Sequence, residues 1–505
     1  MGVDAPMGSP ATPLLPSTHA HHGSRFGTMT AAVIGSGMAG ILAAIELKKA
    51  GFDVVVFEKA STLGGTWRDN TYPGLSCDVP AHSYTFSFAR NPDWSMQYAP
   101  GPEVREYFQR VADDFGVTEC IRFNSEVTSL EWMNTHWHLS TSDGYHGDFP
   151  YVFAATGVLH HPNIPDMPGI EDFEGAVFHS ARWDHNIPLE GKNVAVIGTG
   201  STAIQITSAL VDQVDEFALF QRSAQWVLPA PNPVFSEEER SAFRDDPDAH
   251  EEFVRELAIT MFQRTSSAVT EPDSVEYQKV AALCRRNLNT VVDEELREQL
   301  TPDHQPMCKR LIASADFYDK IQRPNARLVT SPIDTFTPTG IRTADGIEHE
   351  FDVVVLATGF RSDQFIRPTR VIGVDGTDLD DVWSPSPIAY LSVMVPGFPN
   401  LFMLNGPNGP IGNFSLIEIA ERQMSYCMQL ISEIERSDSQ AVVPTSEATN
   451  AFESERRDAA QHTIWMSGCN SWYLDATGVP ASWTFSYDRF VEEMSAPKLV
   501  AFTMS

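Results

Sequence analysis

Met29-Thr30-Ala31-Ala32-Val33-Ile34-Gly35-Ser36-Gly37-Met38-Ala39-Gly40-Ile41 decides the fold. An apolar run of strand length passes directly into a Gly-x-Gly-x-x-Gly turn, and Met38, Ile41, Leu42 and Ile45 then recur at helical spacing. Asp53 to Glu58 returns to a strand, so the unit reads as βαβ. The three glycines serve different ends. Gly35 permits the tight turn, Gly37 lets the backbone approach a pyrophosphate, and Gly40 lets the helix pack closely on the strand. Glu58 ends the second strand 23 residues after Gly35, where a carboxylate can accept hydrogen bonds from a ribose diol.

The plan recurs further along. Asn193 to Ile197 is a strand, Gly198-Thr199-Gly200-Ser201-Thr202-Ala203 is the turn with alanine for the last glycine, and Ala203, Ile206, Thr207 and Leu210 mark the helix. Phe217 to Gln221 is the returning strand, and it ends in Gln221-Arg222-Ser223 rather than in an acid. An arginine there suits a ribose 2′-phosphate, whose charge a carboxylate would repel, so this second site, with Gly198, Gly200, Ser201 and Thr202, should take NADPH. Each unit is followed by a hairpin-like stretch with a turn, Ser142-Asp143-Gly144 and Ala344-Asp345-Gly346, and then by a strand ending Ala-Thr-Gly, Tyr151 to Gly157 and Phe351 to Gly359. One Gly-x-Gly-x-x-Gly is weak evidence; two copies in the same context specify an α/β fold with two Rossmann-like dinucleotide-binding domains. Between Pro231 and Pro306 an acidic insertion is patterned for helices, with apolar residues at Phe253, Leu257, Met261, Phe262, Val280, Leu283 and Leu288. It reads either as a packed elaboration or as a lid over a substrate cavity. Gly406-Pro407-Asn408-Gly409-Pro410 later leads into a helical stretch, Ser415 to Ile434, whose N-terminal amides could face a flavin pyrimidine edge.

Composition narrows the function classes. A chain of 505 residues allows about three domains at roughly 150 residues each. The balance of 35 Lys and Arg against 67 Asp and Glu, net −32, repels nucleic acid and anionic membrane surfaces. No apolar run approaches the ~18 residues of a membrane span, and the first 28 residues, rich in Pro, Ser, Gly and His, read as a disordered tail without a secretory signal. Its histidines His19, His21 and His22 read as solvated rather than as a metal site, and no metal is expected. The six cysteines, Cys77, Cys120, Cys284, Cys308, Cys427 and Cys469, contain no CxxC pair, which fits a reducing cytoplasm.

Between the two units lies Phe173-Glu174-Gly175-Ala176-Val177-Phe178-His179-Ser180-Ala181-Arg182-Trp183-Asp184. This resembles, without a departure, the signature FxGxxxHxxxW followed by Pro or Asp of the type I Baeyer–Villiger monooxygenases, a family within the flavin-containing monooxygenase superfamily. The resemblance covers about residues 30 to 485. Gly64-Gly65-Thr66-Trp67 looks like the family's flavin-adjacent loop, Tyr72 to Asp78 like the stretch carrying its active-site Asp, Cys308-Lys309-Arg310 like the segment carrying its catalytic Arg, and Ser471-Trp472-Tyr473 like the segment that closes over the nicotinamide. Val479 to Phe485 departs from the usual tail, which leaves the nearby pocket wall undefined. The resemblance implies FAD at the first turn, with Gly35, Gly37, Gly40, Glu58, Gly65, Thr66, Trp67 and Asp78. It implies NADPH at the second, with Arg222, Lys309 and Trp472 beside the glycine turn. The chain then divides into the tail 1–28, FAD domain 29–160 and 361–505, NADPH domain 168–232 and 306–360, and the helical insertion 233–305.

The implied reaction inserts one oxygen atom of O2 beside a ketone carbonyl, giving an ester or lactone by way of a flavin peroxide. Negative charge builds on oxygen during that attack, so a fixed cation is required. Arg310, which cannot lose its proton, fits the role, and Asp78 would orient it through charge-assisted hydrogen bonds. His179 is implied to be structural or coupling rather than catalytic. Plainer readings stand beside these: Arg310 and Lys309 as a surface basic pair, Asp78 as a turn residue, Trp183 and Trp472 as core aromatics. Three other functions compete. A heteroatom oxygenase acting on amines or sulfides would share the fold and be told apart by Trp183 and Arg310. A flavin disulfide reductase would need a CxxC, and a nucleotide-sensing protein would not need Asp78 and Arg310 together.

Overall fold

The computed structural model describes residues 29–260, 264–410 and 414–505. The tail with His19, His21 and His22, and the insertion residues Met261 and Phe262, lie outside the described residues.

Two parallel five-stranded sheets carry the same strand order. In the first, Leu401–Met403, Tyr151–Ala154, Thr30–Ile34, Asp53–Phe57 and Ile121–Arg122 lie side by side; in the second, Ala176–His179, Val353–Leu356, Asn193–Ile197, Glu216–Phe220 and Ala326–Val329 do. The central strand of each precedes a glycine turn and a helix, Met38–Lys49 or Ser201–Leu210. The first of these helices is buried on more than one face: Ala43, Ala44 and Leu47 join the apolar residues the periodicity picks out. It lies between the sheet and a long helix, Leu416–Ser437, so a one-sided apolar stripe does not describe it.

The outer strands differ in origin. Leu401–Met403 reaches the first sheet after the chain has left the second, whereas Ala176–His179, part of the sequence signature, is an edge strand of the second sheet. The chain therefore crosses between the domains twice, and the crossings run side by side. Asn163 N donates to Gly359 O (2.8 Å), Arg361 N to His161 O (2.9 Å) and Thr358 Oγ1 to Asn163 O (2.6 Å), an antiparallel ribbon of two passes. The turns at Asp143 and Asp345 sit in small antiparallel meanders, one beside each main sheet.

The insertion forms helices Glu237–Asp245, Pro247–Ala258, Arg264–Thr270, Val275–Leu288 and Glu294–Gln299. Leu288 is buried as the expected stripe has it, but the rest of the buried faces differ: Val254 with His250, and Tyr277, Ala281 and Cys284, turn inward, while Phe253, Leu257 and Leu283 are half-buried. Along Val275–Leu288 the small residues Ala281 and Cys284 take the i+4 and i+7 positions after Tyr277, and a count of large apolar residues passes over them. Asn287 Nδ2 donates to Val227 O (3.1 Å), tying Val275–Leu288 to the second domain. Pro247–Ala258 instead packs on the first domain, where His82 Nδ1 and His250 Nε2 share a hydrogen bond of 2.7 Å. Phe235, Phe243 and Phe253 surround His82.

Burial, and then the neighbouring His250 and Arg90, push His82 down from 6.5 to about 3. The folded protein keeps it neutral while the unfolded chain takes up a proton below pH 6.5. Its contribution is complete above that pH and is lost progressively as the pH falls toward 3. At pH 5 the loss is about 2 kcal/mol, 1.36 kcal/mol for each unit below 6.5. Denaturant unfolding at pH 7.5 and 5.0 should show this, and His82→Phe should flatten the dependence; equal acid sensitivity in the two proteins would contradict it.

Candidate active site

The first glycine of each turn meets the same partner. Gly35 adopts φ +98° and Gly198 φ +123°, and a Cβ on either would collide with a carbonyl oxygen, that of Ala155 or of Ala357. These alanines open the two Ala-Thr-Gly endings, and their N–H groups donate to Ile34 O and Ile197 O, both at 2.9 Å. The repeated tripeptide is thus the floor on which each turn rests. A Cβ on Gly40 would overlap Gly35 O, whereas Ala203 carries its methyl, buried, in the second turn.

Both turns leave helix N-termini open. Gly37 and Gly200 stand at the N-cap positions, and neither helix has a side-chain cap, so its first N–H groups are free for an anion. Ser201 and Thr202 form the first turn of the second helix, and a Cβ on Gly200 would meet nothing within 4 Å. Across from Gly37 lies Gly65, whose Cβ, if present, would be 3.0 Å from Gly37 Cα. Two backbones bare of side chains therefore face each other. The turn Thr66–Asp69 begins there, with Thr66 exposed and Trp67 Nε1 donating to Tyr84 OH (3.3 Å).

Glu58 is buried and its oxygens are already engaged. Oε2 accepts from Ser36 N (2.9 Å) and Ser36 Oγ (2.8 Å), and Oε1 accepts from Ala60 N (2.9 Å) and pairs with Arg68 Nη1 (3.0 Å). A carboxylate offers about four lone-pair sites. Glu58 here holds the glycine turn, and a ribose diol must compete with Arg68 for it.

At the second site Arg222 and Lys309 converge. Burial first, and Arg222 as well, hold Lys309 below its ordinary value, against the opposing pull of Asp303, and its Nζ reaches Ser223 Oγ at 3.4 Å. Among the described residues no carboxylate lies within ion-pair distance of either cation; Asp303 pairs with His304 instead. In a chain of net charge −32, two unpaired neighbouring cations are a place for an anion. Together with the uncapped helix and the open space at Gly200, they fit the 2′-phosphate and pyrophosphate of a dinucleotide.

Asp78 and Arg310, 232 residues apart, meet where the domains face each other, with Arg310 Nη2 2.5 Å from Asp78 Oδ2. Tyr473 completes the group: it packs in one cluster with Met307 and Leu311, which flank the Arg310 segment, and Asp78 above all, then Tyr473, raise the arginine's affinity for its proton. Tyr473 is buried beneath Trp472, ring centroids 4.3 Å apart, while Trp472 itself is 47 % exposed. The Asp78 loop is gripped by the second domain. Tyr72 OH donates to Gln205 Oε1 (2.8 Å), Gln205 Nε2 to Ser76 O (3.0 Å), and a Cβ on Gly74, at φ +83°, would strike Gln205 O. His185, just past the signature, pairs with Thr71 Oγ1 at 2.8 Å. A cavity of about 250 Å³ opens beside Asp78, which lines it together with Tyr98, Gln205 and Asn232 and with the small apolar side chains of Ala230 and Ala313.

Sequence reasoning put Asp78 with Arg310, and these two are adjacent; it named Arg222 and Lys309 separately for the coenzyme, and the folded chain brings their charges close enough to act on each other. It quoted Tyr473 in the closing stretch without giving it a role; the run of adjacent aromatics was the available signal. His179 stands away from this group. It is buried, its Nε2 3.1 Å from Gly359 O and its Nδ1 accepting from Ala181 N (3.1 Å), so it ties the signature to the second Ala-Thr-Gly. Burial lowers its pKa, in keeping with a neutral ring. Trp183 packs edge-on against Phe178 at 5.0 Å.

The fold and its two open turns define a class, the nucleotide-binding oxidoreductases. Residues 32–236 match the family described as pyridine nucleotide-disulphide oxidoreductase. That span ends before Cys308 and Cys469, so it reports the nucleotide-binding frame. An uncharacterized monooxygenase of Mycobacterium tuberculosis is 45 % identical over 85 % of this chain and 87 % of its own. A Baeyer–Villiger monooxygenase of Streptomyces coelicolor is 38 % identical over 88 % of this chain and 87 % of its own. The chain superposes on cyclohexanone monooxygenase from Rhodococcus sp. Phi1 bound to NADP+ with a TM-score of 0.84, at 30 % identity, covering 95 % of this chain and 99 % of that one. The chain belongs to the Baeyer–Villiger monooxygenase family. No helix among the described residues is long and apolar enough to cross a membrane.

Proposed function

We propose that this protein is an FAD- and NADPH-dependent Baeyer–Villiger monooxygenase that converts a ketone, O2, NADPH and a proton into an ester or lactone, water and NADP+. The observation that carries the reading is the Asp78–Arg310 pair, with Tyr473 packed beside it, where the two nucleotide-binding domains face each other. FAD at the first turn supplies the chemistry that accepts hydride from NADPH and activates O2. Gly35, Gly37 and Gly40 shape that turn, Gly65, Thr66 and Trp67 face it, and Glu58 braces it. Gly198, Gly200, Ser201 and Thr202 receive the pyrophosphate of NADPH, Arg222 and Lys309 its 2′-phosphate, and Trp472 is the exposed ring that closes over it. Arg310 stabilises negative charge developing on oxygen as the carbonyl is attacked; Asp78 and Tyr473 hold its guanidinium in place.

NADPH consumption screened over cyclic, linear and aryl ketones and over sulfides, with mass spectrometry for a single added oxygen, tests the reading. Ester formation supports it. Oxygen found only on sulfur would make the protein a heteroatom oxygenase. The purified protein should be yellow with one FAD per chain, and Gly37→Val, whose branched side chain would fill the gap facing Gly65, should lose most of it. A Gly37→Val protein with its full complement of flavin would remove the first turn from the FAD site.

A further inference from the structure

Cys308 and Cys469, 161 residues apart, are joined as a disulfide with their Cα atoms 6.2 Å apart, against the fully reduced set of thiols that the scattered cysteine spacing suggests. The remaining cysteines Cys77, Cys120, Cys284 and Cys427 are free. Position gives the bond its meaning. Cys308 lies two residues before Arg310, and Cys469 four residues before Tyr473. The bond therefore closes a small ring whose other link is the packing of Tyr473 beside Met307 and Leu311, the neighbours of the Arg310 segment. Both cysteines are buried, and Cys308 neighbours a cluster made by Met307, Ile464, Trp465 and Tyr473.

The stretch from Ser467 to Ser486 contains no helix or strand. Its far half is anchored by Arg457 on Asp475 (3.0 Å) and by Trp483 N on Gly409 O (3.1 Å). Its near half carries Trp472 and Tyr473, and there the covalent anchor is the disulfide. An irregular segment held at one end would let Tyr473 drift, and with it one of the two supports of the guanidinium.

We propose that Cys308 and Cys469 are positioning residues for oxygenation: their disulfide fixes the spacing between the Arg310 segment and the Trp472–Tyr473 segment, so that the guanidinium is held from both sides. This rests on the role given to Arg310 above. Closing the bond removes two electrons and two protons from two thiols. Hydrogen peroxide, the side product when NADPH and O2 are consumed without ester formation, takes them up to give two waters.

The first test is a thiol count by mass spectrometry, after alkylation of the full-length enzyme in denaturant. Four cysteines should react without reductant and six after reduction; six without reductant overturns the proposal. The second is coupling, the ester formed per NADPH oxidised. Because displacements near 1 Å in an active site can cost on the order of 100-fold, loss of one of two supports should lower coupling about tenfold in Cys469→Ser, with peroxide rising to match. Adding Cys308→Ser should lower it no further, since both changes break one bond. Wild-type enzyme reduced to six thiols should behave like the variant, which keeps the test open if the variant folds poorly. Unchanged coupling in the reduced enzyme, or full coupling in a Cys308→Ala/Cys469→Val protein that fills the space without a bond, would reduce the pair to packing. Failure of the arginine assignment is read separately, from ester made at the wild-type rate by Arg310→Ala.

Discussion

Arg310→Ala is expected to let NADPH bleach the flavin under argon, yet to form ester at a rate lower by about 10²–10³, the usual cost of one preorganised donor to a developing oxyanion. Hydride transfer needs no stabiliser of oxygen charge, and attack on a carbonyl does. The two half-reactions therefore separate on this one side chain. In air the variant should release hydrogen peroxide in place of product. Asp78→Ala should give the same pattern more weakly, because Tyr473 still contacts a guanidinium that has lost its 2.5 Å partner. Stopped-flow spectra with product analysis, on a ketone found in the screen, decide it. Wild-type ester formation by Arg310→Ala would move the chemistry to another group.

Discrimination between coenzymes should show the next largest effect. Among the described residues no carboxylate comes within ion-pair distance of Arg222 or Lys309, although Asp303 acts on Lys309 from further off, and NADH has no 2′-phosphate to bring to them. A charged hydrogen bond is worth about 1.5–3 kcal/mol, or roughly 10- to 150-fold. Arg222→Ala should lower kcat/KM for NADPH by that factor and leave the value for NADH nearly unchanged. Equal efficiency of the two coenzymes in the unmodified enzyme would contradict the assignment.

What the sequence discloses here is whatever depends on local backbone. The glycine turns, the strands that flank them and the Ala-Thr-Gly endings are spelled out, since a tight turn or a collision with Ala155 O restricts the residue type directly. The pairing of Asp78 with Arg310 came from resemblance, because no periodicity reaches across 232 residues, whereas Arg222 was legible from its place at the end of a returning strand. Less could be read of contacts that depend on how finished elements dock. Glu58 looks like a ribose ligand from its place after the strand, but its engagement by Ser36 and Arg68 belongs to the folded turn. The His82–His250 contact and the Cys308–Cys469 bond join segments whose spacing carries no signal. The insertion's buried faces depend on what they meet, the first domain at one end and the second at the other.

The ribbon of two chain passes between the domains also determines how they can move. Where two strands leave a domain at separate places, sliding and twisting remain open; here Asn163, Gly359, Thr358 and Arg361 bind the passes to one another. The pair works as a pivot. Small rotations about it hardly disturb groups close to the axis, and displacement grows in proportion to distance from it. Side chains near the pivot, His160 on Phe365 O and His161 on Arg367 O, keep their partners through such a swing. The contacts of Tyr72 and Ser76 with Gln205 and of Asp78 with Arg310, together with the covalent Cys308–Cys469 bond, hold the same two halves together elsewhere. While the Cys308–Cys469 bond is closed, a substitution at the noncovalent contacts should change the opening little; after reduction it should increase the amplitude about the ribbon.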